Sequence, residues 1–188
     1  RAYGIDDFHI SVRYLGEQLE DHYNAKDLNG TKVNFVWEEK ALGTLGAASL
    51  IEDFHHDYVL ITNSDILTTL DYEDFFLDFL EKEADMAVAT IPYQVNVPYA
   101  VMETTNHHVV SFKEKPTYTY YSNGGIYIVK KELLKKIPKN TFYNATDLME
   151  SVIEDGGELV SYPIRQYWLD IGKPEDFEKA QADIKHLN

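Results

Sequence analysis

Short apolar and β-branched runs alternate with segments of helical periodicity along the whole chain, the pattern of a mainly parallel sheet covered by helices. The expected order opens with a strand over residues 9–15, a short helix over 16–23 and a strand over 32–37. A turn at Leu42-Gly43-Thr44 leads into a helix over 46–54. Tyr58-Val59-Leu60-Ile61 reads as a central strand buried on both faces, and it runs straight into Thr62-Asn63-Ser64-Asp65. Tyr72, Phe75, Phe76, Phe79 and Leu80 then fall at i, i+3, i+4, i+7 and i+8, with Asp71 as the N-cap, which predicts an amphipathic helix.

A strand over 86–91 follows, and then an antiparallel excursion of two β-like runs, 99–102 and 109–112, separated by the polar residues 104–108. Strand 125–129 and helices 131–137 and 147–153 come next, the last helix with an Asp147 and Glu150 capping pair and a Gly156-Gly157 stop. Residues 159–163 form the last clear strand. Pro174 suits the first turn of a closing helix that points Phe177, Ala180, Ile184 and Leu187 inward. No repeat, low-complexity stretch or linker divides the chain, so residues 1–188 read as a single α/β, Rossmann-like domain with helices on both faces of its sheet.

The 44% hydrophobic content and the 14 Tyr and 9 Phe are ample for a packed core. The net charge of −15, with no long basic run, argues against a nucleic-acid partner. It also means that an anionic substrate would need a divalent cation between itself and the acids. The absence of cysteine excludes disulfides and thiolate metal sites. No apolar run reaches the roughly twenty residues that span a bilayer, and a cytoplasmic protein with no membrane partner is the simplest expectation. The first residue is not Met, and a removed leader stays open.

Two acids stand out by position. Ligands of open α/β sheets bind beyond the carboxyl ends of the strands, where Asp65 follows an apolar run directly. Asp170 ends a second apolar lead-in, Trp168-Leu169-Asp170-Ile171-Gly172. Together two such acids can clamp one Mg²⁺, a cation that takes one or two carboxylates and leaves its other positions to water and substrate. Each acid also has a plainer reading, Asp65 as part of a polar turn opening the next helix and Asp170 as a cap of the last one.

The chain resembles the sugar-1-phosphate nucleotidyltransferases, through five segments in family order: residues 39–47 (Glu39-Lys40-Ala41-Leu42-Gly43-Thr44-Leu45-Gly46-Ala47), 61–65, Phe112-Lys113-Glu114-Lys115-Pro116, Asn123-Gly124-Gly125-Ile126-Tyr127 and 168–172. The resemblance implies transfer of a nucleotidyl group from a nucleoside triphosphate to a sugar 1-phosphate, with Asp65 and Asp170 as Mg²⁺ ligands and Lys115 as the positive group at the sugar phosphate. By the same resemblance Gly43, Thr44 and Gly46 line the base and ribose, Glu114 meets sugar hydroxyls, Asn123 and Gly124 shape the sugar pocket, and Trp168 packs on the sugar ring. Trp168 as core, Lys115 as a surface lysine and 43–46 as a simple turn remain alternatives.

The family's Gly-rich triphosphate loop, with its first strand and helix, has no counterpart in these residues, so the domain is expected to be N-terminally incomplete and to turn over poorly, if at all, on its own. Tyr99-Ala100 departs from a Tyr-Gly pair common at the family's sugar edge and puts sugar identity in doubt. A metal-dependent glycosyltransferase and a non-catalytic nucleotide or sugar-phosphate sensor are the competing readings, and homo-oligomer formation is left open.

Overall fold

The computed structural model describes residues 3–28 and 30–187. Its strands are β1 (Asp7–Val12), β2 (Lys32–Trp37), β3 (Tyr58–Thr62), β4 (Ile66–Thr68), β5 (Met86–Asn96), β6 (Val101–Thr105), β7 (His108–Lys113), β8 (Thr117–Lys130), β9 (Leu159–Pro163) and β10 (Trp168–Asp170). The helices are α1 (Gly16–Asn24), α2 (Tyr72–Glu81), α3 (Lys131–Leu134), α4 (Ala145–Glu154) and α5 (Pro174–Asp183). The α/β alternation read from the sequence is therefore present, with mixed pairing: β1 and β2 run parallel, whereas β4 with β10 and β6 with β7 run antiparallel. A further sheet has the order β3-β8-β5-β9. The chain groups into two compact units, one of Arg1–Ser64, Asp71–Ala87 and Tyr127–Val160, the other of Asp65–Leu70, Val88–Ile126 and Ser161–Asn188.

In the first unit α2 supplies the aromatic core. Asp71 accepts hydrogen bonds from the N–H groups of Glu73 and Asp74, as its N-cap position predicts. Phe75 and Phe79 are fully buried, each worth roughly 1.5–3 kcal/mol of transfer free energy. Phe79 packs edge-on to Tyr58 with ring centroids 5.5 Å apart. α4 starts at Ala145, with Asn144 as its N-cap, and not at Asp147. Asp147 lies one turn in, at the third helical position, where its carboxylate accepts from the Asn144 N–H at 2.7 Å.

Several expected boundaries move for identifiable reasons. β1 stops at Val12 because its partner β2 stops at Trp37, and Arg13 to Leu15 have no ladder to join. The helix expected over 46–54 is one 3₁₀ turn, Gly46–Leu50, in which the Ser49 hydroxyl bonds the Gly46 carbonyl at 2.6 Å and competes with the helical ladder. β3 is half-buried and stands at the end of its sheet among the described residues, so the central position expected for it is not the one it holds. The Asn63-Ser64-Asp65 segment opens β4 and not a helix.

β5 and β8 outrun their expected lengths, and the Tyr and Thr residues at the start of β8 favour extended backbone. The β6–β7 hairpin turns on two residues, Asn106 and His107, both at positive φ as this tight turn demands. α5 begins with Pro174 as predicted, but only Ala180 of its inward set is buried; Phe177 and Ile184 are exposed.

Candidate active site

The antiparallel pair β4–β10 builds the core of the site. Asp65 precedes β4 and Asp170 ends β10, in register opposite Ile66. The Ile171 N–H donates to the Asp65 carbonyl at 2.8 Å and closes the pair at this end. The Gly172 N–H donates to Asp170 Oδ1 at 2.8 Å, which orients that carboxylate. A Cβ on Gly172 would lie 3.1 Å from Asp170 Oδ1 and 3.3 Å from Asp65 Oδ2. The two carboxylates thus border one small space beside Gly172, which a side chain there would crowd.

Both acids are exposed, and neither is paired with a lysine or arginine among the described residues. Two like charges side by side without a counter-ion favour a cation between them. No group of three or more His, Asp or Glu side chains among the described residues is arranged to hold a metal. The two acids could offer a metal ion two carboxylate oxygens. Asp170 does not cap α5, whose N-cap is Lys173.

Trp168 sits at the start of β10, half-buried, and its indole N–H donates to the Gly124 carbonyl at 2.9 Å. That bond ties β10 to β8 and holds the ring in one orientation. Gly124 is required sterically, since a Cβ there would approach the Ala89 carbonyl oxygen to 2.7 Å. Next to it the Asn123 side chain accepts from the Gly125 N–H at 2.8 Å, which shapes the kink at Gly125, whose φ is +71°. Trp168, Asn123 and Gly124 are thereby brought together.

Glu114 and Lys115 lie apart from this cluster in contacts: they form the tight link from β7 to β8, exposed, with Lys115 at φ +42°. Neither makes an ion pair among the described residues.

The 43–46 segment belongs to the first unit, and its small residues have structural partners of their own. Gly43 has φ +75°, and a Cβ there would meet Asn144 Oδ1 at 2.7 Å and the Tyr143 carbonyl at 2.8 Å. A Cβ on Gly46 would meet the Thr141 carbonyl at 2.5 Å. The Thr44 hydroxyl accepts from the Ala145 N–H at 2.7 Å and so caps the first turn of α4. Close chain packing accounts for these residue types before any ligand does. Gly172 has no role of its own in the sequence reading beyond closing the Trp168–Gly172 string; the structure places it beside both carboxylates.

The model for the family described as Nucleotidyl transferase matches residues 1–186, and the chain belongs to that family. It is 28% identical over 186 residues to the D-glycero-alpha-D-manno-heptose 1-phosphate guanylyltransferase of Aneurinibacillus thermoaerophilus, covering 97% of this chain and 80% of the relative. It is 30% identical over 146 residues to the glucose-1-phosphate adenylyltransferase of Clostridium botulinum (strain Alaska E43 / Type E3), covering 71% of this chain but only 38% of that protein. Among solved structures, HddC from Yersinia pseudotuberculosis superposes with a TM-score of 0.72 at 24% identity, covering 97% of this chain and 80% of that one. HddC has also been solved in complex with GMP-PN, and that structure matches with a TM-score of 0.69.

Proposed function

We propose that this chain serves the transfer of a nucleotidyl group from a nucleoside triphosphate to a sugar 1-phosphate, with Mg²⁺ held by Asp65 and Asp170. The observation that carries the reading is the convergence of Asp65 Oδ2 and Asp170 Oδ1 on the space beside Gly172. The family and its sugar-phosphate relatives support the same reaction class.

In this reading the sugar-phosphate oxygen attacks the α-phosphorus in line and pyrophosphate leaves, with no protein nucleophile. Bound Mg²⁺ supplies charge neutralisation at the phosphates. The chain's own work is positioning. Asp65 and Asp170 hold their carboxylates on one side of the reacting phosphates. Trp168, fixed through its N–H to Gly124, offers a flat apolar surface for a sugar ring, with Asn123 and Gly124 at its edge. Lys115 and Glu114 on the β7–β8 link would meet the sugar phosphate and sugar hydroxyls, and Gly43, Thr44 and Gly46 the base and ribose. A nucleoside triphosphate substrate fits a cytoplasmic setting.

The test is pyrophosphate release from a panel of nucleoside triphosphates and sugar 1-phosphates, with and without Mg²⁺, by these residues joined to the Gly-rich triphosphate segment that the resemblance implies. Metal-dependent release that Asp65→Asn and Asp170→Asn each lower by about a hundredfold or more is the expected result. Full turnover by either variant would refute the metal assignment, and hydrolysis of a nucleotide sugar without pyrophosphate formation would move the protein to the glycosyltransferases.

A further inference from the structure

α5 follows the Asp170-Ile171-Gly172 turn directly, yet it is thinly packed: of its ten residues only Ala180 is buried, and Phe177 lies half exposed on its surface. Its far end is joined to the residue before β10 by a hydrogen bond of 2.6 Å from the Tyr167 hydroxyl to Asp183 Oδ2. Tyr167 is the residue immediately before β10. Its main chain is held on the other side as well, the carbonyl accepting from the Thr69 N–H at 3.1 Å and the Thr68 hydroxyl at 2.8 Å, and its N–H donating to the Thr69 hydroxyl at 3.2 Å.

The contacts of Tyr167 therefore close residues 167–183 into a loop. Inside that loop lie β10, the metal-side carboxylate Asp170, the Gly172 turn and α5. One end of the loop is pinned to β4, the strand that Asp65 leads into, and the other end is pinned to Tyr167 itself. A charge-assisted hydrogen bond of this kind is short and stronger than a neutral one. The Tyr167 hydroxyl is pushed up to about 12, chiefly by the hydrogen bond to Asp183 and secondly by burial, so it remains a donor at any working pH.

We propose that the Tyr167–Asp183 hydrogen bond is a brace that sets the spacing of the Asp65 and Asp170 carboxylates, which makes Tyr167 and Asp183 positioning residues for the metal pair. This rests on the reading of those two acids as the metal site. The brace acts through the β10 register: when it is lost, α5 swings on the Gly172 turn, the Ile171 N–H to Asp65 carbonyl bond opens more often, and the acids separate.

The experiment compares Tyr167→Phe, Asp183→Leu and the double variant in the full chain, with two readouts: amide hydrogen exchange at Ile171 and Gly172, and binding of Mn²⁺ alone by electron paramagnetic resonance. Each single variant is expected to speed exchange at both amides and to weaken Mn²⁺ binding by roughly three- to tenfold, with the double variant no worse than either single one, as coupled partners require. Phe177→Ala, which loosens α5 without touching the brace, is expected to leave both amides at the wild-type rate. Should Tyr167→Phe fold poorly, Asp183→Leu carries the comparison, since its side chain is close in size and has no atom that can accept from the Tyr167 hydroxyl. Wild-type exchange and Mn²⁺ affinity in the brace variants, or equal acceleration by Phe177→Ala, overturns the brace. If Asp170→Asn abolishes Mn²⁺ binding while the brace variants leave it intact, the metal site stands and the brace alone falls. If Asp170→Asn leaves Mn²⁺ binding unchanged, the metal site falls and the brace with it.

Discussion

The main-chain N–H of Ile171 donates to the main-chain carbonyl of Asp65 at 2.8 Å, so the residue after one acid is fastened to the other acid's backbone. The spacing of the two carboxylates is thus set by a backbone bond and by the β4–β10 register, and not by flexible side chains alone. In the proposed reading, a pair held in this way need not be ordered by the cation on binding.

Gly172→Ala tests that arrangement directly. The backbone at Gly172 is not left-handed, so alanine is conformationally acceptable there. The methyl, however, would enter the space that Asp170 Oδ1 and Asp65 Oδ2 border at 3.1 and 3.3 Å. Mn²⁺ affinity is expected to fall about tenfold or more, with the thermal midpoint nearly unchanged. Wild-type affinity in this variant would mean that the acids do not share a metal.

Trp168→Phe keeps a ring but removes the N–H that donates to Gly124. The lost hydrogen bond is expected to cost about 1 kcal/mol of stability. If the ring serves the sugar, the variant raises KM for the sugar phosphate more than it lowers kcat. A stability loss with unchanged KM would assign Trp168 to packing alone.

Much of this was legible from local chemistry. Asp71 capping α2 and Pro174 opening α5 depend on neighbours within a turn, and both stand where the sequence places them. Asp65 and Asp170 were legible as strand-end acids, but their convergence depends on β4 pairing with β10 across about a hundred residues, which no local pattern encodes. Tyr58 to Ile61 misleads for the same reason: an apolar run shows that a strand is covered, and says nothing of whether a neighbour lies on each side. Phe177 and Ile184 show the limit of helical periodicity, which defines a face without saying how much of it finds something to pack on.

Gly43→Ala separates packing from ligand contact in the first unit. Its φ of +75° disfavours any L side chain, and the added carbon would meet Asn144 Oδ1 and the Tyr143 carbonyl below 3 Å. A loss of about 2 kcal/mol or more is expected from strain and overpacking together. Thr44→Val, which removes the acceptor of the Ala145 N–H at the start of α4, is expected to cost about 1 kcal/mol. If 43–46 also lines the nucleotide, Thr44→Val raises KM for the nucleoside triphosphate beyond what its stability loss explains; a stability change with unaltered nucleotide KM would leave the segment purely structural.

Asp85 gives a prediction about pH. Its carboxylate accepts from the Lys130 ammonium at 2.7 Å and from the Glu158 N–H at 2.9 Å, and so joins the ends of β5, β8 and β9. The hydrogen bond from Lys130, followed by that from Glu158, lowers the Asp85 carboxyl below its ordinary 3.8. The same bond raises Lys130 above its ordinary 10.5. A carboxyl depressed on folding stabilises the protein above its unfolded value, and that contribution is lost as the pH falls through the lower folded value. A raised ammonium contributes fully below its unfolded value, and its contribution is lost as the pH rises through the higher folded value. The pair's contribution should therefore be flat between about pH 5 and about pH 9 and decline on both sides. Both side chains are about a third exposed, so Asp85→Asn is expected to cost only about 1 kcal/mol on that plateau. Urea unfolding of wild type and variant across the pH range checks this: the two curves should converge in strong acid, and a gap that widened there would refute the assignment.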